Sequence, residues 1–196
     1  MILPIVAYGD PVLKKKATDI TKDYPDFDEL LVNMFDTMYN ACGVGLAAPQ
    51  IGLPIRMFIV DTSPFSEDED LTDEEMKQLK GFKRTFINAV IISEEGEDWV
   101  FNEGCLSIPD VREDVSRKSI ITVQYLDENF KSHTETFDGL IARVIQHEYD
   151  HIEGVLFTDK LSSFKKRLLK GRLSNISKGK ISVDYRMRFP ELKKKR

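Results

Sequence analysis

The chain has 196 residues, 41% hydrophobic and 31% charged, which fits one globular domain with a full core over residues 1–196. Its formal net charge of −5 argues against a generic nucleic-acid binder, so no specific DNA binding is expected. No apolar run is long enough to span a bilayer, and the opening MILPIVAYGD has neither a basic leader nor a cleavage site. The expected location is the cytoplasm, with no membrane partner.

In chain order, the first strong signal is residues 27–42. Phe27, Leu30, Leu31, Met34, Phe35, Met38, Tyr39 and Cys42 recur at helical spacing, which predicts an amphipathic helix. Gly43 is a natural stop, and Cys42 is expected on the buried face. GVGLAAPQIG follows at 43–52. It lacks the Gly-Lys-Ser/Thr of a P-loop, and Ala48 stands where a dinucleotide fingerprint needs glycine, so a phosphate cradle is excluded. Residues 55–61 read as a strand. Residues 62–82 read as an acidic surface excursion with a short helix capped by Thr72 and Glu75.

Strands are predicted at 85–93, 119–126 and 131–137, the last two joined by a turn at Asp127-Glu128-Asn129. His133 reads as a solvated strand histidine. Asp138 is the expected cap of a second helix that Gly154 ends, with an apolar stripe through Leu140, Ile141, Val144, Ile145 and Ile152. A basic helix follows at about 162–175, then a final strand and basic tail over 176–196. Residues 160–196 hold 14 of the 28 Lys and Arg residues, a composition that suits either a solvated face or an acidic partner. The predicted class is α+β, with antiparallel sheet around the helix at 138–154.

That helix carries HEYDH at 147–151, so His147 and His151 lie one turn apart on one face and can share a metal ion. Glu148 sits beside them as a candidate general base. The third ligand decides the chemistry. An HExxHxxGxxH protease pattern holds to Gly154 but fails at Phe157, and Asp159, Asp184 and Glu191 lack a helical context. EGCLS at 103–107 offers Cys105 instead, beside Gly104, which permits close backbone approach. An isolated cysteine is usually core packing; with HExxH in the chain, ligation becomes the better reading. A peptidase and a non-enzymatic metal module remain as alternatives. The first lacks a clear third ligand and the second a fourth.

GVGLAAPQ, EGCLS and QHEYDH resemble, in order and spacing, the three motifs of the peptide deformylases. ILPIVAYGDPVLKKKA is similar to that family's N-terminus, and the resemblance runs to about residue 162. It implies Cys105, His147 and His151 as metal ligands and Glu148 as catalytic acid/base. Gln50 and the Leu106 N–H would hold the formyl oxygen. The implied metal is Fe(II), replaceable by zinc, nickel or cobalt. The implied reaction removes the formyl group from N-formylmethionyl nascent peptides, releasing formate and a free α-amine.

Residues 43–46 can present backbone to an extended peptide, with Gly45 and Gly104 giving room. Val44, Leu140 and Val144 are candidates for the methionine pocket, with Arg112 at its rim. Glu103 and Arg117 are expected to pair behind the ligands. Three features depart from the family pattern, the first being an acidic 62–82 excursion longer than in many members. Arg143, one turn before His147, predicts a more polar rim. The C-terminal strand and KKKR replace one long helix, although the basic C-terminal region keeps a ribosome contact in view.

Overall fold

A computed structural model describes residues 1–67 and 71–190, without the side chains of 66, 67 and 75. The cap expected from Glu75 and the KKKR tail lie outside the described residues. The elements are β1 (Ile5–Val6), α1 (Phe27–Asn40), β2 (Gly45–Ala47), β3 (Met57–Asp61), α2 (Asp73–Lys80), β4 (Lys83–Cys105), β5 (Ile108–Leu126), β6 (Ser132–Asp138), α3 (Gly139–Ile152), α4 (Ser163–Ser177) and β7 (Met187–Arg188). One antiparallel sheet has the order β2-β3-β4-β5-β6, and a second, two-stranded sheet pairs β1 with β7 in parallel. The α+β class with antiparallel sheet is as the sequence predicts.

β3 explains how the layers form. Alternate residues point to opposite faces of a strand. Met57 and Ile59 enter one core with Met34 and Met38 of α1. Phe58 and Val60 enter the other with Ala142, Ile145 and Ile152 of α3. Both faces are buried, which is why IRMFIVD is apolar without alternation. Phe58 and Phe86 stack at 4.7 Å inside the second core. A third core joins Val6 and Leu13 to Leu169, Leu173 and Ile176 of α4.

α1 forms where its periodicity predicts, but it ends at Asn40. Cys42 lies past the end in left-handed backbone (φ 53°) and is exposed. The expectation of a buried Cys42 fails because helical spacing stops applying once the helix stops. The 62–82 excursion is also less superficial than expected. Thr62 N–H donates to Phe82 O at 3.0 Å and its hydroxyl to Leu79 O at 2.9 Å, so the base is stitched shut. Leu79 and Phe82 are buried.

β4 and β5 are far longer than predicted, 23 and 19 residues. The middle of β4 is exposed and charged, and the middle of β5 buries Val115 beside the charged Arg117, so no apolar pattern marks either in the sequence. Register shifts interrupt the pair at Ile87/Val90, Ile91/Ser93 and Glu95/Asp98. At the far end Cys105 pairs with Ile108, leaving Leu106 and Ser107 as a two-residue turn. The β5–β6 turn forms as expected. His133 beside it is not free in solvent: it stacks on Tyr125 and bonds Asp127 at 2.8 Å.

Asp138 takes the N-cap position of α3 with no side-chain cap bond. Gly154, at φ 75°, ends the helix against the Lys14 backbone, which a Cβ would meet at 2.9 Å. The final strand shrinks to Met187–Arg188, and residues 181–185 bend at 181 and 184–185 and join no ladder. Among the described residues no helix is long and apolar enough to cross a membrane.

Candidate functional site

α3 carries His147 and His151 one turn apart, with ring centroids 5.2 Å apart and nearly perpendicular planes. The β4–β5 turn brings Cys105 to them, Sγ lying 3.3 Å from His151 Nε2. One donor atom from each residue falls within 4.8 Å of the others. No other such group of His, Cys, Asp or Glu occurs among the described residues. A soft sulfur and two imidazoles suit a first-row transition metal. Three protein ligands leave a position open, as a catalytic centre requires.

The packing behind the ligands fits the same group. His147 Nδ1 lies 2.9 Å from Glu103 Oε2. Burial pushes the Glu103 carboxyl up, but Arg117 and His147 outweigh it and hold it well below the usual range. An ionised carboxylate only accepts, so Nδ1 carries a proton; burial pushes the His147 pKa down, but Cys105 and Glu103 outweigh it and hold it well above its ordinary value, so a metal at Nε2 would displace a proton. Arg117 grips Glu103 through Nε at 2.6 Å and Nη2 at 2.9 Å, as the pairing expectation had it, and reaches Asp150 at 2.7 Å. Burial, then His147 and Arg117, push His151 down, which keeps it neutral. Its Nδ1 is buried and has no partner among the described residues.

Arg143 lines the cleft, as its place one turn before His147 suggests, but from within the wall rather than at an exposed rim. It is 2% exposed, donates to Glu103 Oε1 at 3.0 Å and Val115 O at 3.1 Å, and lies 4.7 Å from the Trp99 ring. The polar character expected of it turns inward, because the extended β4–β5 hairpin covers it with Trp99 and Phe101.

Glu148 projects to the other side of His147 and is buried, with Oε2 unpartnered. Burial raises its carboxyl to about 7. Gly45 faces it so closely that a Cβ there would lie 2.5 Å from Oε1. Gln50 sits in a 3-10 turn at Ala48–Ile51. Its Oε1 accepts the Ala47 N–H at 2.8 Å, which turns Nε2 towards Cys105 Sγ at 3.5 Å. The amide orientation is thus set by the backbone.

These groups border a cleft of about 620 Å³, lined also by Val44, Gly104, Leu106, Arg112 and Val144. Leu140 is not among them. It lines a separate cavity with Leu79 and Ile120, because seven residues of helix carry it about 10 Å along the axis from His147. Arg112 is exposed and tied to Asn102 through Nε at 2.9 Å. Sequence reasoning missed Asp150, Phe101 and Tyr185. Asp150 lies inside HEYDH but takes its role from Arg117, 33 residues away, while Phe101 and Tyr185 reach the site from distant elements.

Residues 2–167 match the family model described as polypeptide deformylase. The chain belongs to the polypeptide deformylase family. It is a metal-dependent hydrolase that removes the N-formyl group from nascent polypeptides. The peptide deformylase of Christiangramia forsetii is 68% identical over 196 residues, covering 100% of both chains. That of Salinibacter ruber is 42% identical over 185 residues, 94% of this chain and 93% of the relative. A crystal structure of a peptide deformylase from Legionella pneumophila superposes with a TM-score of 0.76 at 34% identity, covering 92% of this chain and 98% of that one. The family match stops at residue 167, whereas Ser182, Val183, Asp184 and Tyr185 also line the cleft.

Proposed function

We propose that Cys105, His147 and His151 hold the catalytic metal, that Glu148 moves the proton, and that Gln50 and the Leu106 N–H hold the formyl oxygen. The carrying observation is the convergence of one sulfur and two imidazole nitrogens within 4.8 Å beside a buried carboxylate. Fe(II) is the proposed ion, as the family resemblance implies, with zinc, nickel or cobalt as substitutes; one thiolate and two imidazoles suit any of the four. Bound there, the ion supplies Lewis acidity and a more acidic water.

The chain's own residues do the rest. Glu148, unpartnered on one oxygen and dry, takes the proton of the attacking water and returns it to the leaving amine. Negative charge grows on the formyl oxygen. The Gln50 amide and the Leu106 N–H are donors held ready for it, so little reorganisation is needed during reaction. β2 is an edge strand of the sheet, and an extended peptide can add beside 43–46 as a further strand. Val44 and Val144 give the formyl-methionine side chain an apolar surface, with Gly104 and Arg112 at the opening.

The reading also takes 1–196 as one catalytic domain working in the cytoplasm. Basic side chains on α4, among them Lys165, Lys166, Arg167, Lys170 and Arg172, support a ribosome contact through charge.

The test is formate release. Purified anaerobically and supplied with iron, nickel or cobalt, the protein should release formate from formyl-Met-Ala-Ser and leave an internal peptide intact. No formate with any of the three metals would sink the reading; internal cleavage would favour a peptidase.

A further inference from the structure

The turn that carries Cys105 and Leu106 is held from outside by both ends of the chain. Tyr8 N–H donates to Ser107 O at 2.8 Å, and the Tyr185 hydroxyl donates to Leu106 O at 2.8 Å. Tyr185 is itself anchored. The next residue is fixed by the β1–β7 ladder, with Ile5 N–H donating to Arg186 O at 2.9 Å and Ala7 N–H to Arg188 O at 2.9 Å. Its ring packs with Leu106 against the α1 core and lines the cleft. Tyr185 and β7 lie beyond residues 2–167 that match the family model, although the Christiangramia forsetii relative aligns over them.

The Leu106 N–H belongs to the Cys105–Leu106 peptide and the Leu106 carbonyl to the next one, so the two are linked through the Leu106 Cα. The Cys105–Ile108 pairing fixes the chain just before Leu106, and the Tyr185 hydroxyl fixes the carbonyl just after it. Together they bracket the Leu106 Cα, and holding it holds one end of the peptide that carries the Leu106 N–H. We infer that Tyr185 is a positioning residue for deformylation: its hydroxyl keeps the Leu106 N–H aimed at the formyl oxygen. The inference rests on the role proposed above for Leu106.

Tyr185→Phe keeps the ring and its packing and removes only the oxygen. One aimed donor is worth about 10²–10³ in kcat. Partial misaiming should cost about ten-fold in kcat, with KM for formyl-Met-Ala-Ser within about two-fold. Metal content and Tm should match the parent. Tyr185→Leu should lose at least as much kcat. A Tyr185→Phe variant with parental kcat overturns the inference and leaves the proposed function standing. So does a variant whose loss of kcat follows equal loss of metal or a fall in Tm, which would assign the hydroxyl to the scaffold. A parent protein that releases no formate overturns the underlying reading, and this inference with it.

Discussion

Glu103 is the acceptor for His147 Nδ1 at 2.9 Å while Arg117 holds the same carboxylate at 2.6 Å. The pair orients the imidazole and fixes which nitrogen is left to a metal. Glu103→Gln keeps the shape but weakens both contacts. Metal affinity should fall about 10–100-fold, as for other partners of metal-bound histidines. Competition with a coloured chelator measures it, and an unchanged affinity would remove Glu103 from this role.

Gly45 sets the position of Glu148. With a Cβ 2.5 Å from Oε1, Gly45→Ala must push the carboxylate or β2 aside. A shift near 1 Å costs about 100-fold in rate. Formate release should drop by at least that much while metal stays bound. Gly81→Ala is the control: nothing lies within 4 Å of its Cβ, so activity should hold. Glu148→Gln should likewise keep the metal and abolish turnover.

How much of this was legible in the sequence depends on how local each relationship is. His147, Glu148 and His151 share one helix turn, so their spacing declares them. α1 declares itself through four turns of apolar repeat, and the same repeat misplaces Cys42 because it runs past the helix end. Gly45 was read as room for a peptide backbone. Its second duty, room for Glu148, depends on a residue 103 positions away and leaves no pattern. Arg143 looked like a rim residue because nothing local reveals that the β4–β5 hairpin folds Trp99 over it. The middle of β4 is solvated, so it lacks the alternation that would have announced it.

Metal removal should destabilise the protein as well as silence it. A ligand at 100 times its Kd stabilises the folded state by about 2.7 kcal/mol. For a chain of this size that is roughly 5–10 °C in Tm. Thermal scans with and without chelator should differ by that amount. Cys105→Ala should show no such difference and no metal by elemental analysis.

Acid should weaken the far end of α3 before neutral conditions do. Glu153 accepts from Arg56 Nη1 at 2.6 Å and pairs with Lys16 at 2.9 Å. Burial pushes its carboxyl up, but Lys16 and Arg56 outweigh it and leave it below its ordinary value. A folded value below the unfolded one gives stability that is present above about pH 4.3 and is lost as pH falls through the folded value. Glu153→Gln should therefore destabilise at pH 7, with the gap closing below about pH 4. Urea unfolding of both proteins at the two pH values checks this; a gap that ignores pH would contradict it.

The parallel pairing of Ile5–Val6 with Met187–Arg188 has a consequence in time. The first partner is synthesised well before the second, roughly 10–40 s at ordinary translation speed. Until then the Tyr185 support of the Cys105–Leu106 turn cannot be in place. A protein that strips formyl groups from growing chains thus has its own oxyanion-side turn without that support for most of its synthesis.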